Sequence, residues 1–216
     1  LTKEQLKIIF NRFPDGTSDY IAMQLGYRCG LRIGEAFALC FNDIDYKNKT
    51  LTVNHQVQWI DGHWTLVPPK YDSIRTIDID DITLDMLRRK QLRQEQAKQF
   101  YAEHYTYLYV DENGIINTDG NGRLWNAVSM RENGTYIQAR TMQHTSHIIH
   151  TDLNMPDFDF HSLRHTHATL LAEAGVPVKD LQYRLGHKNV ETTLKYYVHR
   201  TDEKRKETMQ KIKEGL

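Results

Sequence analysis

Cysteine is nearly absent from this 216-residue chain. The two present, Cys29 and Cys40, would lie about 16 Å apart on one continuous helix, too far for a bridge. That argues against a disulfide framework and makes the cytoplasm the expected compartment. No apolar run approaches membrane-spanning length, so no membrane partner is expected. The opening Leu1-Thr2-Lys3-Glu4 is neither a signal nor a transit peptide. An initiator methionine is lacking too, which suggests a fragment cut at a domain edge. Charge of one sign is also missing: 28 basic residues face 28 acidic ones. A DNA-binding domain would be expected to carry a basic excess, so net charge neither supports nor excludes a nucleic-acid partner. The segment 181–216 alone has a local excess of about four basic residues. There is no internal repeat and no low-complexity linker. What remains, 39% apolar and 26% charged, is ordinary globular composition, enough for one substantial core.

Thr2 and Gln5 form a capping box ahead of an apolar face of Leu6, Ile9 and Phe10, predicting a first helix that Pro14-Asp15-Gly16 ends. Ser18 is expected to cap a second helix through Tyr27. Gly30 breaks it, and a third helix carries Arg32, Glu35 and Leu39, with Arg32 near its anion-favouring N-terminus. From Thr50 to Ile79 the pattern turns to strands: Leu51 to Val57, Trp64 to Val67 after an Asp61-Gly62 turn, and Ile74 to Ile79, forming a small antiparallel sheet. Thr83 to Phe100 reads as a charged helix and Tyr105 to Val110 as a short aromatic strand. Asn121 to Met130 reads as helical around Trp125. Helices are expected over Gln138 to Leu153, His161 to Ala174 with Gly175 as its cap, and Val178 to Leu185. Asp202 to Ile212 reads as a polar helical tail. The fold class is therefore mainly α with a small antiparallel β-sheet, an α+β domain over residues 1–216.

The chemistry-bearing string is His161-Ser162-Leu163-Arg164-His165-Thr166, followed by Leu185-Gly186-His187 and Tyr196-Tyr197. An arginine fork can hold two phosphate oxygens. Histidines can donate hydrogen bonds or move protons near neutral pH, and a tyrosine hydroxyl can act as a covalent nucleophile. With a second arginine and a lysine as general acid, such a set could cut a phosphodiester without metal or ATP, because the phosphotyrosyl bond keeps the energy of the broken ester.

Gly30-Leu31-Arg32-Ile33-Gly34-Glu35, Pro69-Lys70, the His161-to-Thr166 string, Leu185-Gly186-His187 and the closing tyrosine together resemble the tyrosine recombinase family, most nearly its phage and conjugative-transposon integrases. The ordered set of five elements covers nearly the whole chain and is specific where any one alone would be weak. The resemblance implies the tyrosine recombinase catalytic-domain fold, with N-terminal DNA-binding modules absent from this chain. It implies a site-specific recombinase acting on double-stranded DNA, as a homo-tetramer on DNA, with no cofactor. It places Arg32 and Arg164 as the phosphate clamp, Lys70 as general acid, and His161 and His187 as supporting donors. Glu35 is given a structural role, and Arg75 is a poor fallback acid because it holds its proton. His165 is expected to pack inside or to bond a carbonyl. Tyr197 is favoured as nucleophile because His199 follows two residues later; Tyr196, packing as an aromatic, is the alternative. The tail, Thr201 to Leu216, would dock on a neighbouring protomer.

The histidines and the shared chemistry admit other readings. His144, His147 and His150, and the pair His161 and His165, stand at helical spacing that could suit zinc. No Glu lies between His161 and His165 as a metalloprotease helix requires, so no metal is expected, and the first three histidines are assigned to a solvated or DNA-facing helix. A type IB topoisomerase shares the chemistry but relaxes DNA, and a non-catalytic DNA-binding module would retain the fold alone.

Overall fold

The computed structural model describes residues 1–197. The expected tail at Asp202 to Ile212 lies outside the described residues.

The chain opens with α1 (Lys3–Arg12). Thr2 Oγ1 accepts from Gln5 N at 3.2 Å, and Gln5 Oε1 accepts from Thr2 N at 2.9 Å, closing the capping box. Helix α2 (Tyr20–Cys29) is buried on nearly every side and is the central strut. Its cap is Asp19 rather than Ser18. The Asp19 carboxylate does not cap its own helix; it takes hydrogen bonds from Thr141 and Thr145, tying α2 to α5 (Thr141–Thr151). Gly30, left-handed at φ +68, ends α2; a Cβ there would stand 2.6 Å from the His167 ring. Cys29 closes α2, whereas Cys40 lies beyond α3 (Ile33–Ala38), and both thiols are free.

The expected single sheet is divided. Strands β1 (Ile44–Asp45), β2 (Thr50–Val53) and β5 (Arg75–Asp78) form one antiparallel sheet, with Leu51 opposite Ile77 and Val53 opposite Arg75. Strand pairing stops at Asn54-His55, whose side chains bond each other while Asn54 also donates to Asp43. β3 (Gln56–Ile60) and β4 (His63–Val67) then form a separate hairpin. Helix α4 (Asp81–Tyr101) follows, capped by Asp80, which accepts from Thr83 N at 2.7 Å.

The helix expected over Asn121 to Met130 is not formed. That segment supplies β8 (Arg123–Leu124), which pairs with β6 (Tyr109–Val110); β7 (Ile116–Asn117) lies on the other edge of β6. Tertiary pairing overrides the local pattern: Trp125 N donates to Leu108 O at 2.8 Å and Val128 N to Leu39 O at 2.9 Å. Gly122 permits this route, with φ +98 and the Val110 carbonyl oxygen only 2.1 Å from where a Cβ would stand. Gly122→Ala is therefore expected to cost about 2 kcal/mol or more, read as a lower midpoint in urea unfolding.

Helix α6 (Phe160–Glu173) packs across α2, capped by Asp159, which accepts from Ser162 N at 2.6 Å. Helices α7 (Val178–Leu185) and α8 (Val190–Leu194) complete the described chain with a 3-10 turn, Lys195–Tyr197. A large core runs from Leu6 to Leu163. A smaller one of Ala168, Ala172, Leu181 and Leu185 has Tyr196 and Tyr197 packed against it. Among the described residues no helix is long and apolar enough to cross a membrane.

Candidate active site

Four separate parts of the chain meet at one cleft of about 420 Å³. The start of α3 brings Arg32, the Pro69-to-Ser73 connection brings Lys70, α6 brings His161 and Arg164, and the region around α8 brings His187 and Tyr196. A larger cleft of about 700 Å³, between α4 and the chain around Met130, holds none of these residues.

Arg32 occupies the N-cap position of α3. Its backbone N–H donates to Glu35 Oε2 at 2.9 Å, and its guanidinium donates to Glu35 Oε1 and to Gly186 O, each at 2.7 Å. Glu35 is 2% exposed. Its carboxylate also takes a fork from Arg75, NH2 to Oε2 at 2.8 Å and NH1 to Oε1 at 3.1 Å. Burial works against the Glu35 charge, but Arg75 and then Arg32 more than offset it and hold the carboxyl below its usual range. Arg75 in turn donates through Nε to Arg184 O at 2.8 Å, joining β5 to the end of α7.

Arg164 is 1% exposed and lies among the largest fully buried side chains. Its NH1 donates to Gly30 O at 2.6 Å and its NH2 to Leu185 O at 2.5 Å, while the buried Nε has no partner among the described residues. Burial, then the charge of Arg32, brings its pKa down to about 9, so it stays protonated at pH 7. Arg32 and Arg75 thus share one carboxylate, and Arg164 is held by carbonyls that carry no formal charge. The cluster has spare positive charge and an unused donor, the makings of an anion site.

His187 follows Gly186, whose left-handed backbone (φ 61) ends α7. Its Nδ1 meets the hydroxyl of buried Thr193 at 2.9 Å. Burial, followed by the charges of Arg164 and Arg32, brings its pKa down to about 4, leaving a neutral imidazole at pH 7. His161 is lowered too, by burial first and then by His165 and Arg164. Lys70 lies at the mouth of the cleft, its Nζ 5.1 Å from the Tyr71 ring centre.

The two tyrosines part company. Tyr196 lines the cleft, its ring parallel to that of His187 (7° between planes, centres 6.4 Å apart). Burial raises its pKa, partly countered by Arg164. The Tyr197 hydroxyl instead donates to Val176 O at 2.5 Å, against the smaller core.

His165 departs from expectation. It is exposed, with its ring 4.5 Å from His161 and 5.4 Å from Tyr196. The histidine that packs inside is His167, two residues on and so on the opposite side of α6, whose Nε2 accepts from Arg184 Nε at 3.0 Å. Burial brings its pKa down to about 3. His144 and His147 are exposed on α5, and His150 contacts Phe158 O. Sequence reasoning also missed the bracing role of Arg75. Its carboxylate partner is 40 residues away, so no local spacing could announce the pair.

The model of the phage integrase family matches residues 1–204. The chain belongs to that family. It is 33% identical over 185 residues to a tyrosine recombinase XerC-like protein of Caldanaerobacter subterraneus, covering 81% of the chain and 44% of that protein. It is 29% identical to the integrase of Staphylococcus phage L54a, covering 88% of the chain and 50% of that protein. The chain thus spans about half the length of these relatives. Its fold resembles the Tn1549 transposon integrase solved with circular intermediate DNA, with a TM-score of 0.71 and 24% identity, covering 98% of this chain and 66% of that one. The helix-rich architecture with small antiparallel sheets is that of tyrosine recombinase catalytic domains.

Proposed function

We propose that this member of the integrase family is the catalytic domain of a site-specific DNA recombinase, cutting and rejoining strands through a 3′-phosphotyrosyl intermediate. The reading rests on the cluster of Arg32, Arg75 and Arg164 around the single carboxylate of Glu35, with Arg32 and Arg164 lining the cleft. A phosphodiester supplies the missing negative charge. Family membership supports double-stranded DNA as the partner, and the Tn1549 integrase was solved bound to DNA.

In this reading Arg32 and Arg164 clamp the non-bridging oxygens and stabilise the charge that grows on them in the transition state. His161 and His187 add hydrogen bonds. The tyrosine hydroxyl gives up its proton to solvent, its oxygen bonds to phosphorus as the bond to the 5′ oxygen breaks, and Lys70 gives that leaving oxygen its proton. Rejoining runs the same steps backwards with a new 5′ hydroxyl, so neither ATP nor a metal is needed. Exchange between two duplexes cuts four strands once each, which calls for four clefts and hence a tetramer on DNA. Modules outside residues 1–216 would supply further DNA contacts.

Tyr197 is proposed as the nucleophile, on the Tyr197-Val198-His199 spacing of the resemblance. To attack, it must leave the Val176 carbonyl, so the Lys195–Tyr197 turn must rewind on DNA. A second reading gives the attack to Tyr196, and its place in the cleft near the Arg164 charge favours it. Tyr197→Phe is expected to abolish covalent protein–DNA adducts, whereas Tyr196→Phe keeps them at a reduced rate; the reverse pattern selects the second reading. Recombination of two sites, with little supercoil relaxation in a parallel assay, is the expected outcome for a recombinase. Relaxation without exchange would point to topoisomerase activity instead.

A further inference from the structure

The segment Pro68-Pro69-Lys70-Tyr71-Asp72-Ser73 carries two consecutive left-handed residues without glycine, Tyr71 at φ 64 and Asp72 at φ 49. L side chains adopt that conformation only at a cost. Local bonds hold it: Asp72 N donates to Pro69 O at 3.0 Å, Ile74 N to Asp72 O at 2.8 Å, and Ser73 Oγ to Lys70 O at 2.9 Å. The outcome of this backbone is the place of one ring. Tyr71 is 57% exposed, yet two ammonium groups approach it, Lys70 Nζ at 5.1 Å and Lys188 Nζ at 5.8 Å from its centre. Lys188 follows His187 directly. The ring therefore bridges the connection that carries Lys70 to the turn that carries His187, and it borders both the cleft and the groove beside it.

We propose that Tyr71 is a positioning residue for Lys70, its ring holding the lysine at the mouth of the cleft in register with His187. The proposal rests on the reading of Lys70 as general acid. A lysine on a four-carbon stem has many exposed rotamers, and an attraction to a ring face within about 6 Å narrows them. The contact uses the ring and not the hydroxyl, so phenylalanine should serve equally well. Lys188 shares the platform and links movement of the Lys70 connection to movement of the His187 turn.

The test compares leaving groups. A nicked suicide duplex cut from the DNA flanking the gene is made in two forms, one with the ordinary 5′ oxygen at the scissile bond and one with sulfur there. A thiolate leaves without needing a proton, so a defect in proton delivery disappears on the sulfur substrate. Single-turnover adduct formation is measured for the protein, Lys70→Ala, Tyr71→Leu and Tyr71→Phe. Tyr71→Leu should slow cleavage of the oxygen substrate about three- to fivefold, the worth of an exposed cation–π contact. On sulfur it should match the unaltered protein, as should Lys70→Ala, and Tyr71→Phe should be unaffected on both. If Lys70→Ala is restored by sulfur while Tyr71→Leu is equally slow on both substrates, or is not slowed on either, the inference about Tyr71 is overturned and the acid role of Lys70 stands. A Lys70→Ala that stays slow on sulfur overturns the acid role itself, and the inference with it.

Discussion

Arg164→Lys is expected to slow formation of the covalent DNA adduct by about 100- to 1,000-fold, the cost of removing one preorganised donor to a developing oxyanion. The positive charge survives this change, so the loss measures geometry. In the protein two guanidinium nitrogens are committed to the carbonyls of Gly30 and Leu185, at 2.6 and 2.5 Å. Those bonds fix the plane of the group and leave Nε unpartnered among the described residues. An ammonium cannot satisfy both carbonyls and still present a donor to phosphate in a set direction. One carbonyl is left unpaired, so stability should fall as well, by about 1–3 kcal/mol. Single-turnover cleavage and urea unfolding on the same preparation separate the two effects. A rate within tenfold of the unaltered protein, in a folded variant, would show that Arg164 is a structural brace and not part of a phosphate clamp.

Glu35→Ala is expected to have the largest effect on stability, a loss of about 3–5 kcal/mol, because it strands a buried charge. Arg75 is 3% exposed and bonds Glu35 through two nitrogens. Without the carboxylate it has the carbonyls of Ser73 and Arg184, and Arg32 loses both of its bonds to Glu35. Cleavage should fall in parallel, since the carboxylate aims Arg32 at the cleft. The pH dependence has a definite sign. The Glu35 carboxyl titrates below its usual value in the folded protein, so its contribution is fully present above about pH 4.5 and is lost as pH falls through the lowered folded value. The stability gap between the protein and Glu35→Gln should therefore be constant above that pH and shrink below it. A gap that does not change with pH would mean the carboxylate is not the source.

Local chemistry was legible in the chain wherever its partners were near in sequence. The Thr2–Gln5 capping box, the Gly30 break and the run from α6 to α7 follow from spacings of a few residues, and each is present. The ordered motifs pointed to the family correctly. Errors arose where a distant partner decided the outcome. Asn121 to Met130 has a plausible helical pattern, but β6 and the Leu39 carbonyl claim its backbone. The strand through Val57 should have continued past Asn54, yet Asp43 captures that side chain. His165 and His167 both stand in a histidine-rich helix, and only the packing of α6 on α2 decides which is buried. Arg75 could not be tied to Glu35 until β5 was placed beside the start of α3. The candidate site was thus visible as a set of residue types, while the bracing that aims them was visible only in three dimensions.

In the proposed reaction this cleft breaks a phosphodiester by forming a bond from tyrosine to the 3′ phosphate, without metal or ATP. The direct measurement incubates the protein, in chelator and without nucleotide, with a nicked suicide half-site that traps the cut strand, and then maps the DNA-linked peptide. A covalent adduct is expected on the peptide containing Tyr196 and Tyr197, with the DNA attached to Tyr197. Cleavage that needs a divalent metal, or an adduct on a residue outside that pair, would contradict the proposed reaction.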